Sequence, residues 1–269
     1  MPFFLTGIMV SALVDFLIVR FPDKFSRNAS VFFFIIIPIT IVAPLAKGGI
    51  IPLVDYLQKK GWPRFVIVFL ILLTPIINWT NIFWIGKVFG WGKTVAAFIS
   101  LGLVATLLVS FLFWLSQVKS KQFPLTVEAS IEERPLINQI SFIGSITKSF
   151  LHWVPYLILG CLITAGLNTI LPMTTWMEEV SSPASQILFS MGYSMLVSDS
   201  PCAESLIAFS WMGKYLFSSI LAFLLSGALL DIRSLAMMAK AMGIKMTLYI
   251  YSITFLLILT GCLSWQLFF

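Results

Sequence analysis

Ser198-Asp199-Ser200-Pro201-Cys202-Ala203-Glu204-Ser205 sets two carboxylates and a helix-breaking proline directly after the apolar run 185–197. In hydrocarbon, carboxylates are costly and persist where they face protein, a water-filled cavity or one another. This octet decides the fold: an all-α polytopic membrane protein in which the segment borders a route for something polar.

The composition outside the octet agrees. Hydrophobic residues make up 59% of the 269-residue chain and charged residues 10%, whereas soluble domains carry roughly a quarter charged residues. A chain so poor in charge needs lipid to solvate it. The least apolar stretch, 117–147, holds Lys119, Lys121, Glu128, Glu132, Glu133 and Arg134. It is short for a domain and reads as a polar linker between a first membrane unit, 1–116, and a second, 148–269. The net charge of +6 sits at the ends of apolar runs, where the positive-inside bias and lipid headgroups account for it. No groove-like alternation of basic and aromatic residues points to nucleic acid, and the 25 Phe and 9 Trp fit lipid-facing surfaces and interfacial belts.

Cys161 and Cys262 lie inside apolar runs, where a thiol behaves as a small hydrophobe. Cys202 alone has polar neighbours, Asp199 and Glu204, and the single histidine, His152, stands beside Trp153 at the start of a different run. A tetrahedral zinc site needs more donors than that, so neither metal nor cofactor is expected. Sequence signatures of hydrolases, zinc peptidases and phosphate loops are absent; an enzyme is not expected. The segment Met1–Arg20 lacks a basic n-region and an Ala-x-Ala cleavage signal and reads as a retained first helix.

A membrane-crossing helix needs ~20 apolar residues. Eight runs qualify as candidates: 3–20, 30–46, 64–85, 93–116, 149–171, 185–197, 215–232 and 246–268. Several are short or broken, which is how transporter helices build binding sites. Shifting the chain against itself by 153 positions lays Gly7 on Gly160, Ala12 on Ala165, Lys87 on Lys240, Gly90 on Gly243 and Thr94 on Thr247. The same shift pairs Asp15 with Asn168 and Asn78 with Asp231, so the expectation is two homologous repeats with broken or re-entrant helices. Their relative orientation stays open. Residues 22–27 contain Asp23, Lys24 and Arg27 where their counterparts include Glu178 and Glu179, which points to opposite faces, but Lys87 and Lys93 match a second basic turn at Lys240 and Lys245.

Four breaks carry the candidate substrate-binding residues. At the first, Lys47, Gly48, Gly49 and Pro52 end an apolar run, and the glycines let the chain leave the helix and restart with inward-pointing N–H groups that attract anions. An ordinary surface turn is the alternative. At the second, Thr74 and Pro75 precede Asn78 and Asn81, which share a helical face. Pro75 removes a backbone donor one turn before that face, although a proline kink with interhelical amide bonds is also a structural device. The third is Ser198, Asp199, Ser200, Pro201, Cys202 and Glu204; the fourth is Ser226 and Asp231. Asp15 and Asn168 need partners at depth, and Lys47 is the nearest cation for Asp15 or Asp199, either as an internal ion pair or as part of a relay.

The two-part layout, with Ile50-Ile51-Pro52 and Thr74-Pro75-Ile76-Ile77-Asn78 in one half and Ser198-Asp199 through Leu230-Asp231 in the other, resembles the ArsP-like predicted permeases from about Phe3 to Leu263. That resemblance implies export of small solutes, trivalent organoarsenicals among some members. The chain departs from the arsenical pattern: where the family carries a Cys-Ser-Cys trio, it has Ala46-Lys47-Gly48. Its second half is similar to a branch encoded beside a second small membrane subunit, with Gly227-Ala228-Leu229-Leu230-Asp231 lacking the proline usual there. The expectation is therefore a multi-pass permease of the cytoplasmic membrane that contacts lipid and a small-molecule or ion substrate. The alternative is a non-transporting integral subunit of a heteromeric complex.

Overall fold

The computed structural model describes residues 50, 51, 54, 57, 58, 63–119, 142–170, 182–197 and 200–268. The breaks proposed at Lys47, Gly48, Gly49 and Pro52 and at Ser198 and Asp199 lie outside them, as does Asp15. Among the described residues the chain is helical, without strands. The helices are α1 (Arg64–Ile77), α2 (Trp79–Phe89), α3 (Lys93–Lys119), α4 (Phe142–Ile170), α5 (Pro183–Val197), α6 (Pro201–Ser210), α7 (Phe217–Leu229), α8 (Ile232–Met242) and α9 (Ile244–Phe268).

Among the described residues, five segments are long and apolar enough to cross a membrane: Arg64–Phe89, Lys93–Leu115, Phe150–Leu167, Phe217–Met242 and Ile244–Gln266. The first and fourth each join two helices across a break. A straight 26-residue helix would measure roughly 39 Å against a hydrocarbon core of about 30 Å, so each of these segments has residues to spare for one. The run expected at 215–232 is thus interrupted and then extended to Met242. At 15 residues α5 spans roughly 22 Å and cannot cross alone. Ten-residue α6 spans roughly 15 Å and is shorter still. Helix α3 continues to Lys119 and α4 begins at Phe142, so both ends of the polar stretch 117–147 are helical.

Helix α7 is the centre of the bundle. All its residues from Ser218 to Leu229 are buried, and it packs on α1, α3, α5, α6 and α9. A helix apolar on every side needs neighbours on every side. Helix α4 is its opposite, with Leu151, Ile158, Leu159, Leu162 and Ile163 exposed, as suits a helix facing lipid; it packs on α8, with Gly160 against Arg233.

Helices α3 and α9 run antiparallel. The Leu101 side chain lies 3.5 Å from where a Cβ on Gly261 would stand. Twelve residues on in α3 and twelve back in α9, the rings of Phe113 and Tyr249 meet at 6.5 Å. Near their crossing, α3, α7 and α9 leave a mainly apolar cleft of about 280 Å³, bordered by Val104, Ala105 and Leu108 on one side and Leu257, Ile258 and Gly261 on the other.

The helix ends recur at a spacing of 153 residues. Asn78 and Asp231 are both extended (φ −63°, ψ 122°; φ −104°, ψ 130°) and both cap the following helix. Gly90 and Gly243 both end it at positive φ, 85° and 86°, a conformation that glycine adopts without the penalty a Cβ brings.

Candidate functional site

The break between α1 and α2 follows from Pro75 and Asn78. Pro75 cannot donate to the carbonyl four residues back, and Thr74 returns its hydroxyl to Leu70 O at 2.7 Å. Three residues later Asn78 leaves the helical region and accepts from Thr80 N through Oδ1 at 2.8 Å. Asn81 Nδ2 then donates to Pro75 O at 2.7 Å, tying the new helix to the end of the old one. Asn78, Asn81 and Thr74 are all buried.

Asn81→Ala leaves the Pro75 carbonyl without this donor. The expected loss is about 1 kcal/mol, since an unsatisfied buried carbonyl costs more than a water-exposed one but membrane hydrogen bonds are individually modest. Thermal unfolding in detergent micelles measures it; an unchanged midpoint would mean the clamp contributes nothing.

In the second half, Leu230 N donates to Ser226 O at 2.6 Å before the chain turns at Asp231. Oδ1 of Asp231 accepts from Arg233 N at 3.1 Å and from Arg233 Nε at 3.3 Å, and Oδ2 accepts from the Ser234 hydroxyl at 3.3 Å. From α9, the Tyr251 hydroxyl donates to Asp231 O at 2.9 Å. Here the capping group is a carboxylate with a guanidinium partner, in place of the neutral amide of Asn78. A charge at depth is tolerated because it is paired and hydrogen-bonded.

From Ser200 onward the deciding octet is a capped helix start. Ser200 is extended and its hydroxyl accepts from Ala203 N at 3.2 Å, with Pro201 in the first helical position, where a missing N–H costs nothing. Ser205 closes the turn by donating to Pro201 O at 2.8 Å. Glu204 is buried in this first turn. Its carboxylate rests on Gly227 in the last turn of α7, beside the Ser194 hydroxyl of α5, and Ser194 donates to Phe223 O at 2.6 Å. Cys202 is partly exposed and in no disulfide with another described cysteine. Among the described residues, no three His, Cys, Asp or Glu side chains converge as metal ligands. His152 is exposed, edge-on to Trp153 at 5.2 Å.

The predicted residues therefore gather in groups. Thr74, Pro75, Asn78 and Asn81 form one bonded unit, while Glu204 meets the α7 end next to Ser226, whose hydroxyl donates to Ala222 O at 2.6 Å. Helices α6 and α7 connect these groups, because α6 packs on α2 as well as α7, with Phe89 and Phe209 edge to face at 5.8 Å. Ser194 and Gly227 lie beside Glu204 and were not singled out by sequence. The available signal was Ser190 and Ser194, both fully buried and four residues apart on one face of α5.

A family model described as a predicted permease, ArsP_1, matches residues 1–264. The chain is also similar to the UPF0718 protein YcgR of Bacillus subtilis (strain 168), 25% identical over 281 residues covering 97% of this chain and 91% of that protein. A putative two-component membrane permease complex subunit of Streptococcus mutans serotype c is 24% identical over 232 residues, covering 82% of this chain and 75% of that protein. No solved structure gives a significant match.

Proposed function

Because the chain belongs to the ArsP_1 family of predicted permeases, we propose that it is a permease of the cytoplasmic membrane made of two inverted repeats. The breaks at Lys47–Pro52, Thr74–Asn81, Ser198–Glu204 and Ser226–Asp231 supply its substrate site. The observation that carries this reading is the antiparallel crossing of α3 and α9. Under the 153-residue shift these two helices are counterparts, and counterparts that run in opposite directions are related by a two-fold axis in the membrane plane.

The cleft at their crossing supports the same axis. Val104, Ala105 and Leu108 line it from α3, and Leu257, Ile258 and Gly261, each 153 residues further on, line it from α9. The matched caps at Asn78 and Asp231 and the matched turns at Gly90 and Gly243 agree with it. Inversion agrees with the opposed charges of 22–27 and 178–179, and it sends the basic turn at Lys87 and Lys93 and the one at Lys240 and Lys245 to opposite membrane surfaces, where they offset one another as topology signals. Site and axis together make an alternating-access device whose halves rock about α3 and α9. Its work is translocation of a small polar solute or ion without chemical change.

Two measurements test the reading. In a background of Cys161→Ser, Cys202→Ser and Cys262→Ser, single Lys93→Cys and Lys245→Cys variants are exposed to an impermeant maleimide in right-side-out and inverted vesicles. Labelling of the two from opposite sides is expected; labelling from the same side rejects inversion. In proteoliposomes, phenylarsenous acid, arsenite, divalent metal ions and phosphate are then offered in turn, with and without a proton gradient. Flux above protein-free liposomes for one of them is expected, and its absence for all favours the second reading.

That second reading, a membrane subunit that requires a partner, is favoured by the Streptococcus relative named as part of a two-component complex. Flux appearing only when a co-purifying membrane protein is reconstituted with the chain would establish it.

A further inference from the structure

We propose that Gly227 is a positioning residue: with Ser194 it forms a slot that fixes the Glu204 carboxylate where α5, α6 and α7 meet. The inference rests on the permease reading, in which Glu204 belongs to the substrate site. A Cβ on Gly227 would overlap the Ser194 hydroxyl and stand 3.0 Å from Glu204 Oε2 and 3.2 Å from Glu204 Cδ. The carboxylate therefore lies directly on the α7 backbone. Glycine inside a helix sacrifices stability relative to alanine, and Gly227 is not among the glycines at positive φ. Its backbone conformation is open to any residue, so the reason for glycine here is space.

Each side of the slot is anchored. Ser194 is held by its bond to Phe223 O, one turn before Gly227 on α7. The Ser226 hydroxyl is turned back along α7 to Ala222 O, which keeps it off the slot floor. Glu204 has its own backbone placed by the Ser200 cap and the Pro201 start of α6, with Glu204 N donating to Ser200 O at 2.9 Å. The break thus sets where the side chain begins, and the slot sets where its charge ends. The atoms nearest an added methyl are side-chain ends, the Ser194 hydroxyl and the Glu204 carboxylate, so Gly227→Ala displaces these two groups first.

Dicyclohexylcarbodiimide tests this in the full-length protein in liposomes. The reagent partitions into the apolar phase and adds to protonated carboxyl groups, giving a stable N-acylurea that mass spectrometry locates by residue. In Gly227→Ala the initial rate of modification at Glu204 is expected to rise about tenfold as the group leaves its slot, with the rate at Asp231 unchanged. Adding Glu204→Asp, whose shorter stem draws the carboxylate back from position 227, returns the rate to that of Glu204→Asp alone. An equal rise at Glu204 and Asp231 would indicate general loosening, and it would overturn the proposal, as would no rise or no rescue. Since no cargo is involved, the outcome is separable from the flux assay: labelling as expected with no flux removes the permease reading, and flux with no change in labelling removes only the slot.

Discussion

Asp231→Asn is expected to lower flux by at least about tenfold, the equivalent of some 1.4 kcal/mol in a transport barrier, in a protein that still folds and inserts. Its counterpart Asn78 shows why the fold survives. An asparagine there takes the same extended backbone and caps α2 through Oδ1, so asparagine at 231 can keep the cap on Arg233 N. What it cannot keep is the negative charge facing Arg233 Nε and accepting from Ser234. Weakening charge-assisted bonds of this kind costs about 1–3 kcal/mol, and Arg233, still partly exposed at 19%, recovers some of that from water. Gel filtration and thermal unfolding report the fold, and proteoliposome flux reports the site. Wild-type flux in a well-folded Asp231→Asn protein would take this carboxylate out of the transport mechanism.

Gly160→Leu should be the most damaging single change to stability. A Cβ at 160 would lie 2.7 Å from Arg233 Cα and 3.2 Å from Arg233 O, so the obstruction is backbone, which cannot rotate aside. Helix α4 would have to retreat from α8 at the residue that caps itself on Asp231. Overpacking of this kind costs typically about 1–3 kcal/mol, and here it also loosens the second break. A fall in the unfolding midpoint together with lost flux is the expected pair of results. By contrast, Gly166 has nothing within 4 Å of its added Cβ, so Gly166→Leu serves as the control and should leave both unchanged.

The long apolar helices were legible because hydropathy alone defines them: the run expected at 93–116 corresponds to the segment Lys93–Leu115, and that at 246–268 to Ile244–Gln266. Breaks at Asn78 and Asp231 were visible as polar residues at matching points of apolar runs, and both are helix caps. Helices α6 and α8 were not visible. Their residues include Glu204 and Ser205 in one and Arg233, Ser234 and Lys240 in the other, and a window that averages hydropathy discounts such segments. The meeting of Ser194, Glu204 and Gly227 is a tertiary event: three residues on three helices, of which only Glu204 stands out in the sequence, converge only after α7 is buried at the centre. Relative orientation of the halves was illegible for a different reason. Loop charges gave two conflicting indications, and it is the contacts of Leu101 with Gly261 and Phe113 with Tyr249 that fix the direction of α3 against α9.

That antiparallel pair bears on how the chain enters the bilayer. The turns leading into α3 and α9 carry Lys87 and Lys93 in one case and Lys240 and Lys245 in the other, and they lie at opposite ends of the pair. Cationic flanks that normally tell the insertion machinery which end to retain are then nearly matched on the two sides. Final orientation is left to charges elsewhere, and a few added or removed lysines at a single turn should be enough to invert a measurable fraction of the molecules.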